Sequence, residues 1–166
     1  MQKRILIGLI ALGLAVFAWA EGAAKTSLVP YPEGFRAWRH VGSVMNQPNE
    51  KNKATAPHGM IHHIYANEKA LEGLRTGTYP EGAVFVAEWF VLKQKYAGGF
   101  DEGAHNRTDV MVKDARFAAT GGWGFDQFAQ DSKTVRNIGP AAAPKACFQC
   151  HTKVEAHSYV FSALRP

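Results

Sequence analysis

Residues 83–95 read Ala83-Val-Phe-Val-Ala-Glu-Trp-Phe-Val-Leu-Lys-Gln-Lys95. The segment is rich in Val, Phe and Trp and follows the turn residues Pro80-Glu81-Gly82, so it predicts one long β-strand. Gly98, Gly99 and Gly103 indicate a loop after it, and two further strands are predicted at residues 107–112 and 123–128. Residues 81–130 carry no apolar repeat at helical spacing, which excludes a bundle of long helices for this part of the chain.

The chain before this strand predicts two more strands and one helix. The strands are His40 to Met45 and Gly59 to Ala66, joined by a polar loop at residues 46–57. Asn67 is a typical N-cap residue, and the helix that follows it runs to about Arg75 and is ended by Gly77. The middle of the chain is therefore rich in strands, with one helix.

The C-terminal part carries the motif Cys147-Phe-Gln-Cys-His151. A C-x-x-C-H run is the attachment signature of c-type haem. Two thiols one helical turn apart can each form a thioether with a haem vinyl group, and the adjacent histidine can bind the iron. A redox C-x-x-C pair and half of a zinc site are the alternatives. Cys147 and Cys150 are the only cysteines, however, so a four-cysteine zinc site cannot form.

The position of the motif narrows the class of cytochrome. A four-helix-bundle cytochrome c′ also carries it near the C-terminus, but its upstream chain would show long helices. Small electron-transfer cytochromes c usually place it near the N-terminus and supply a methionine ligand after it. No methionine follows His151 here, so a sixth iron ligand, if one exists, must come from upstream. The chain predicts one covalently attached haem c with its iron.

The N-terminus has the pattern of an export signal. Met1 to Arg4 is basic, Ile5 to Ala20 is apolar and uncharged, and Ala18-Trp-Ala20 is an A-x-A cleavage site. The apolar run is shorter than the ~20 residues that usually span a bilayer, which disfavours an uncleaved anchor. Residues 1–20 are thus predicted to be a signal peptide, residues 21–166 a single haem domain, and the location the periplasm, where c-type haem is attached.

Charge excludes one function class. The formal net charge of +5 falls to +3 without the two basic residues of the signal segment, and two haem propionates would lower it further. The chain has no basic stripe with interleaved aromatic residues, so we expect no nucleic-acid binding.

Short sequence blocks along the chain occur in a characteristic order. They are Phe35-Arg-Ala-Trp38 with Val41-Gly42, Ala56-Pro57, Ile64-Tyr65, Arg75-Thr-Gly77, residues 81–86, residues 112–114 with 116–118, Trp123 and Cys147 to His151. Together they resemble cytochrome P-460 and the related cytochrome c′-beta, from about Tyr31 to the C-terminus. The resemblance implies an α+β fold. In that fold an antiparallel β-sheet is expected to form one wall of a haem pocket, and a C-terminal helix is expected to carry the C-x-x-C-H motif.

The resemblance also implies a range of functions. Such proteins are periplasmic and often dimeric, keep an open or weakly occupied distal site, and bind nitric oxide or oxidise hydroxylamine. Cytochrome P-460 has a lysine cross-linked to the haem, and the matching position here is Ala87, which has no amine. Lys93 lies six residues, roughly 20 Å, further along the strand. The cross-link is therefore not expected, and the branch indicated is cytochrome c′-beta.

Alternation along the strand from Gly59 selects candidate residues for the distal pocket. His58, Met60, His62 and Ile64 should share one face, and His63 should lie on the other. The resemblance directs the first group toward the haem. Phe85 shares a face with Ala87 and would cap the iron; the alternative is that Phe85, like Trp89 and Phe125, belongs to the ordinary core of the sheet.

Three interpretations of this group remain open. Met60 or a histidine could be a sixth iron ligand, His62 could act as an acid–base group with Arg116 as its partner, or the side chains could simply be solvated at a pocket mouth. A zinc site from His58, His62 and His63 is disfavoured because the strand separates His62 from His63.

The function indicated is a periplasmic mono-haem cytochrome that binds a small ligand, most simply nitric oxide. The alternatives are an enzyme acting on peroxide or hydroxylamine, and a six-coordinate electron carrier. Each implies a periplasmic redox partner, and a homodimer is consistent with the resemblance.

Overall fold

The computed structural model describes residues 29–96, 98–139 and 141–164. The predicted signal peptide lies outside these residues. Six strands form one antiparallel sheet in chain order. They are β1 (Arg39–Asn46), β2 (Met60–Ala66), β3 (Val84–Tyr96), β4 (Gly99–Lys113), β5 (Trp123–Ala129) and β6 (Arg136–Ile138). None of the helices in the described residues is both long enough and apolar enough to cross a membrane.

Helix α1 (Glu68–Thr76) connects β2 to β3 and has the predicted ends. The side chain of Asn67 accepts a hydrogen bond from the backbone nitrogen of Ala70, and Gly77 ends the helix with φ 80°. The Asn67 side chain also accepts a hydrogen bond from the backbone nitrogen of Val84, so the same capping residue connects the helix to the start of β3.

The C-terminal segment, residues 144–157, is helical in three short pieces. A π-helical turn (Pro144–Phe148) leads into α2 (Gln149–His151), and a 3-10 helix (Thr152–His157) completes it. Together with the antiparallel sheet, this segment confirms the predicted α+β class and the C-terminal helix.

The two faces of the sheet have different coverings. The first, which we call the helix face, packs against α1 and the C-terminal segment; its core includes Phe85, Met111, Trp123 and Phe125. The opposite face, called the outer face, is partly covered by residues 29–35, with Val29 and Tyr31 packed near Val110 and Phe128. A haem held by the C-x-x-C-H segment must therefore lie on the helix face.

Two predictions about the sheet need correction. The glycine-rich residues 98–103 were expected to be a loop, but β4 begins at Gly99 and pairs with β3 from there on, with three shifts of register. Gly103 makes this possible, since a Cβ there would lie 2.8 Å from the carbonyl oxygen of Val91. Strand β6 was not predicted, because its three residues are too short to show a period.

Candidate functional site

His151 is held in a single orientation by the backbone that follows it. Its Nδ1 donates a hydrogen bond of 2.7 Å to the carbonyl oxygen of Tyr159, and its ring lies 4.9 Å from that of Phe125 and 5.0 Å from that of Phe161. Since the proton is on Nδ1, Nε2 keeps its lone pair. Burial lowers the pKa of His151, which further favours the neutral, ligating form.

The chain reverses direction to supply that carbonyl group. Ser158 and Tyr159 have φ of 55° and 66°, a left-handed conformation that is unfavourable for residues other than glycine. Two contacts hold the turn: the indole nitrogen of Trp123 donates a 3.0 Å hydrogen bond to the carbonyl oxygen of Ser158, and Gly121 leaves room for the ring of Tyr159. Local strain is thus tolerated at the position that orients His151.

The two cysteines lie one helical turn apart and form no disulfide. Cys147 is half-buried and packs against the core of the helix face, whereas Cys150 is exposed. Burial raises the pKa of Cys147 to about 11, and the negative charge of Asp109 acts in the same direction. Because no disulfide joins them, both cysteines are free next to the candidate iron ligand.

The helix face opposite this segment is organised in rows of paired residues. Successive rows lie two residues, roughly 7 Å, apart along the strands. The first row contains Ala66, Phe85, Met111 and Phe125; the second contains Ile64, Ala87, Asp109 and Gln127; the third contains His62, Trp89, Arg107 and Ala129. His151 contacts the first row through Phe125, and the negative charge of Asp109 in the second row offsets a small part of the lowering of the His151 pKa by burial.

The third row contains a stack of three side chains. The ring of His62 stacks on that of Trp89 with centroids 3.9 Å apart, and the guanidinium carbon of Arg107 lies 3.8 Å from the Trp89 ring centroid. Burial, and then the charge of Arg107, lower the pKa of His62 to about 4, so the imidazole is neutral near pH 7. Within the described residues, His62 Nδ1 is buried and has no hydrogen-bond partner, whereas the buried Trp89 Nε1 lies near the Asp109 carboxylate without the geometry of a regular hydrogen bond.

Asp109 is a candidate residue that sequence reasoning missed. It pairs across the sheet with Ala87, and both of its carboxylate oxygens lie 3.2 Å from Nε of Arg107. Burial raises the pKa of Asp109, and the adjacent Arg107 opposes that shift. Alternation along the predicted strand 107–112 could have placed Arg107 and Asp109 on one face, but only the register with β3 places them beside Ala87.

Several predicted distal residues lie where alternation puts them. Met60, His62 and Ile64 share the helix face with Phe85 and Ala87. Phe85 is buried in the core beside Tyr79 and Trp123. Met60 is buried at the start of β2. It is six residues along the strand from Ala66, and Ala66 belongs to the first row, which His151 contacts.

Two predicted positions require correction. His58 does not continue the alternation, because β2 starts at Met60 and Gly59 turns the chain with φ 87°; the ring of His58 instead lies near Phe100. Arg116 is exposed and binds the carboxylate of Asp114 two residues away. The arginine that approaches His62 is Arg107, because β4 is the neighbour of β3 in the sheet.

Within the described ranges, no three His, Cys, Asp or Glu side chains converge on a common metal position. His62 and His63 lie on opposite faces of β2, as the alternation predicts. A single imidazole, that of His151, therefore remains as the candidate iron ligand on the proximal side.

Comparison with known proteins agrees with this geometry. The family model described as Cytochrome P460 matches residues 32–162. The chain belongs to the cytochrome P460 family. It is therefore a cytochrome that binds haem iron. A search of curated proteins found no match.

The residues of this family member fit a haem. His151 presents Nε2 with its tautomer already set, two cysteines lie beside it, and the buried Nδ1 of His62 in the third row lacks a partner among the described residues. An orphaned buried polar atom costs about 1–3 kcal/mol, so a bound group that reaches the third row would relieve that cost.

Proposed function

We propose that this protein is a periplasmic mono-haem cytochrome c of the cross-link-free, cytochrome c′-beta type, and that it binds nitric oxide. Cys147 and Cys150 would hold the haem through thioethers, and His151 Nε2 would bind the iron. The observation that carries this proposal is the bond from His151 Nδ1 to the Tyr159 carbonyl, because such a contact fixes a ligating histidine and raises its basicity.

The second row of the helix face supports an open distal site. Ile64 and Ala87 have no ligating atom, and the carboxylate of Asp109 is engaged by Arg107. Met60 is roughly 20 Å along β2 from Ala66, which disfavours it as a sixth ligand. When bound, haem iron supplies a free coordination position, and an uncharged diatomic molecule needs no charged partner from the protein.

The first test is the optical spectrum of the ferric and ferrous protein before and after addition of nitric oxide. We expect a high-spin spectrum that shifts with nitric oxide, and a Met60→Leu variant with the same response, since leucine preserves volume without a thioether. A low-spin spectrum that nitric oxide does not change would contradict the proposal. If Met60→Leu then converted it to high-spin, Met60 would be the sixth ligand of an electron carrier.

A second candidate function is peroxide reduction, favoured by the neutral imidazole of His62 beside the cation of Arg107. A neutral histidine can accept a proton from hydrogen peroxide, and a nearby guanidinium can stabilise negative charge on oxygen. Hydroxylamine oxidation is less well supported, because Ala87 stands where the resemblance requires a cross-linked lysine.

For this candidate we expect His62→Ala to slow peroxide-dependent oxidation of an electron donor by about 10²-fold or more, the usual contribution of a positioned acid–base group. The matched control is His157→Ala, which removes an exposed histidine of the C-terminal segment. Steady-state rates for the two variants decide the question: a His62→Ala protein as fast as the control has no acid–base role at this position.

A further inference from the structure

An extra residue in β1 brings two polar side chains together on the outer face. His40 pairs with Tyr65 and Gly42 with Ile64, so Val41 has no partner position of its own in β2. Without this bulge, residues 40 and 43, three apart, would lie on opposite faces. With it, His40 and Ser43 both lie on the outer face, and Ser43 pairs directly with His63.

The side chains of these residues form one hydrogen-bonded chain. His40 Nε2 lies 2.9 Å from Ser43 Oγ, and Ser43 Oγ lies 2.8 Å from His63 Nδ1. At its far end, His63 Nε2 lies 2.6 Å from Oε1 of Glu102 on β4. Because a carboxylate only accepts, His63 carries its proton on Nε2, and its Nδ1 is left as an acceptor facing Ser43.

One imidazole nitrogen from each histidine thus lies within hydrogen-bond distance of the Ser43 hydroxyl. The ring centroids of His40 and His63 are 5.7 Å apart. Two imidazoles that share a tetrahedral metal at about 2.0–2.1 Å have centroids about 5 Å apart, so only a small adjustment separates the observed arrangement from a ligating one. Glu102 already occupies the position of the carboxylate that orients a metal-bound histidine.

We propose that His40 Nε2 and His63 Nδ1 bind one divalent cation of the late first-row series, with Ser43 Oγ as a neutral third donor and water completing the coordination. Imidazole donors suit Zn²⁺, Cu²⁺ and Ni²⁺, and Cu²⁺ binds tightest of these. Binding needs His40 to carry its proton on Nδ1 and the Ser43 hydroxyl to turn its hydrogen away, and neither change alters the protein's charge.

The exposure of the site favours a metal over a nucleophilic serine. The hydrogen-bonding order Ser43, His63, Glu102 also occurs in hydrolases. Ser43, however, lies in a regularly paired strand next to exposed His40, and Glu102 is 51% exposed, so the surroundings exclude little water. An open cation site tolerates water as a ligand, whereas acyl transfer requires a dry site with donors aimed at the substrate oxygen.

The proposal is tested by calorimetric titration of the haem-loaded protein, free of any affinity tag, with CuCl₂ and separately with ZnCl₂. We expect one cation per chain at micromolar concentration, with Cu²⁺ tighter than Zn²⁺. His40→Ala and His63→Ala should each weaken binding about tenfold or more, and Glu102→Gln by about tenfold, since outer-shell partners contribute 10–100-fold. The control, His157→Ala, should bind as the unchanged protein does.

Electron paramagnetic resonance of the Cu²⁺-loaded protein gives a second measurement. We expect the hyperfine pattern of two nitrogen ligands, reduced to one in His40→Ala, a variant whose exposed side chain can be removed without disturbing the core. Absence of micromolar binding by the unchanged protein would overturn the proposal. So would unchanged affinity in both His40→Ala and His63→Ala.

Discussion

Replacement of both Cys147 and Cys150 by serine is expected to make the haem extractable into acidified organic solvent. In the unchanged protein the two proposed thioether bonds should retain essentially all of it. Serine preserves the shape of cysteine but cannot form a thioether, so only the bond from His151 and the contacts of the helix face would remain. Absorbance of the organic and aqueous phases after extraction measures the effect directly.

Single variants show how much each of the two sulfurs contributes to haem retention. Cys147→Ser and Cys150→Ser should each keep the haem attached through the other cysteine, with a shifted spectrum of the reduced pyridine complex. Lys153→Ala, an exposed change in the same segment, is the control and should retain the haem as the unchanged protein does. Haem that resists extraction from the double variant would show that the cysteines are not its attachment points.

Trp123→Ala is expected to lower the free energy of unfolding by about 3–5 kcal/mol, the usual cost of removing a large buried aromatic side chain. Trp123 is fully buried, and its ring packs 5.3 Å from that of Tyr79 and 6.2 Å from that of Phe85. Its indole nitrogen also holds the Ser158 carbonyl at the turn that orients His151. Urea unfolding followed by circular dichroism gives the value.

Two further variants separate packing from hydrogen bonding at this position. Trp123→Phe keeps an aromatic ring but loses the hydrogen bond to the Ser158 carbonyl. It should lower the free energy of unfolding less than Trp123→Ala does, and about 1 kcal/mol of its effect should come from the lost hydrogen bond. Phe100→Ala removes a surface ring that is 47% exposed and should lower the free energy of unfolding by much less, about 0.5 kcal/mol. A Trp123→Ala protein as stable as Phe100→Ala would exclude Trp123 as a central core residue.

Features that depend on neighbouring residues were readable from the sequence. Strand β3 lies within one residue of its predicted bounds, and α1 begins and ends at the predicted Asn67 and Gly77. Capping and strand propensity act over a few residues, so their signals are present in any short window. The spacing of Cys147, Cys150 and His151 is local in the same sense, and family membership agrees with the haem that it predicts.

Features that depend on pairing between distant strands were not readable. The pairing of β3 with β4 selects Arg107 rather than Arg116 as the neighbour of Trp89 and His62, and it places Asp109 beside Ala87. The bulge at Val41 reverses the side on which the preceding residues of β1 lie, so strict alternation would misplace His40 relative to Ser43.

The amino-acid sequence was therefore enough to predict a strand-rich haem protein with one helix in the middle of the chain, since periodicity, caps and the C-x-x-C-H spacing are short-range properties. The antiparallel arrangement of the strands and the C-terminal helix were implied by the resemblance to cytochrome P-460. The folded sheet determines which side chains lie opposite His151. It also determines which outer-face side chains form the hydrogen-bonded chain of His40, Ser43, His63 and Glu102. The physical reason is register. A shift of one residue moves a whole row of side chains to the other face, and only packing against both faces determines which register is stable.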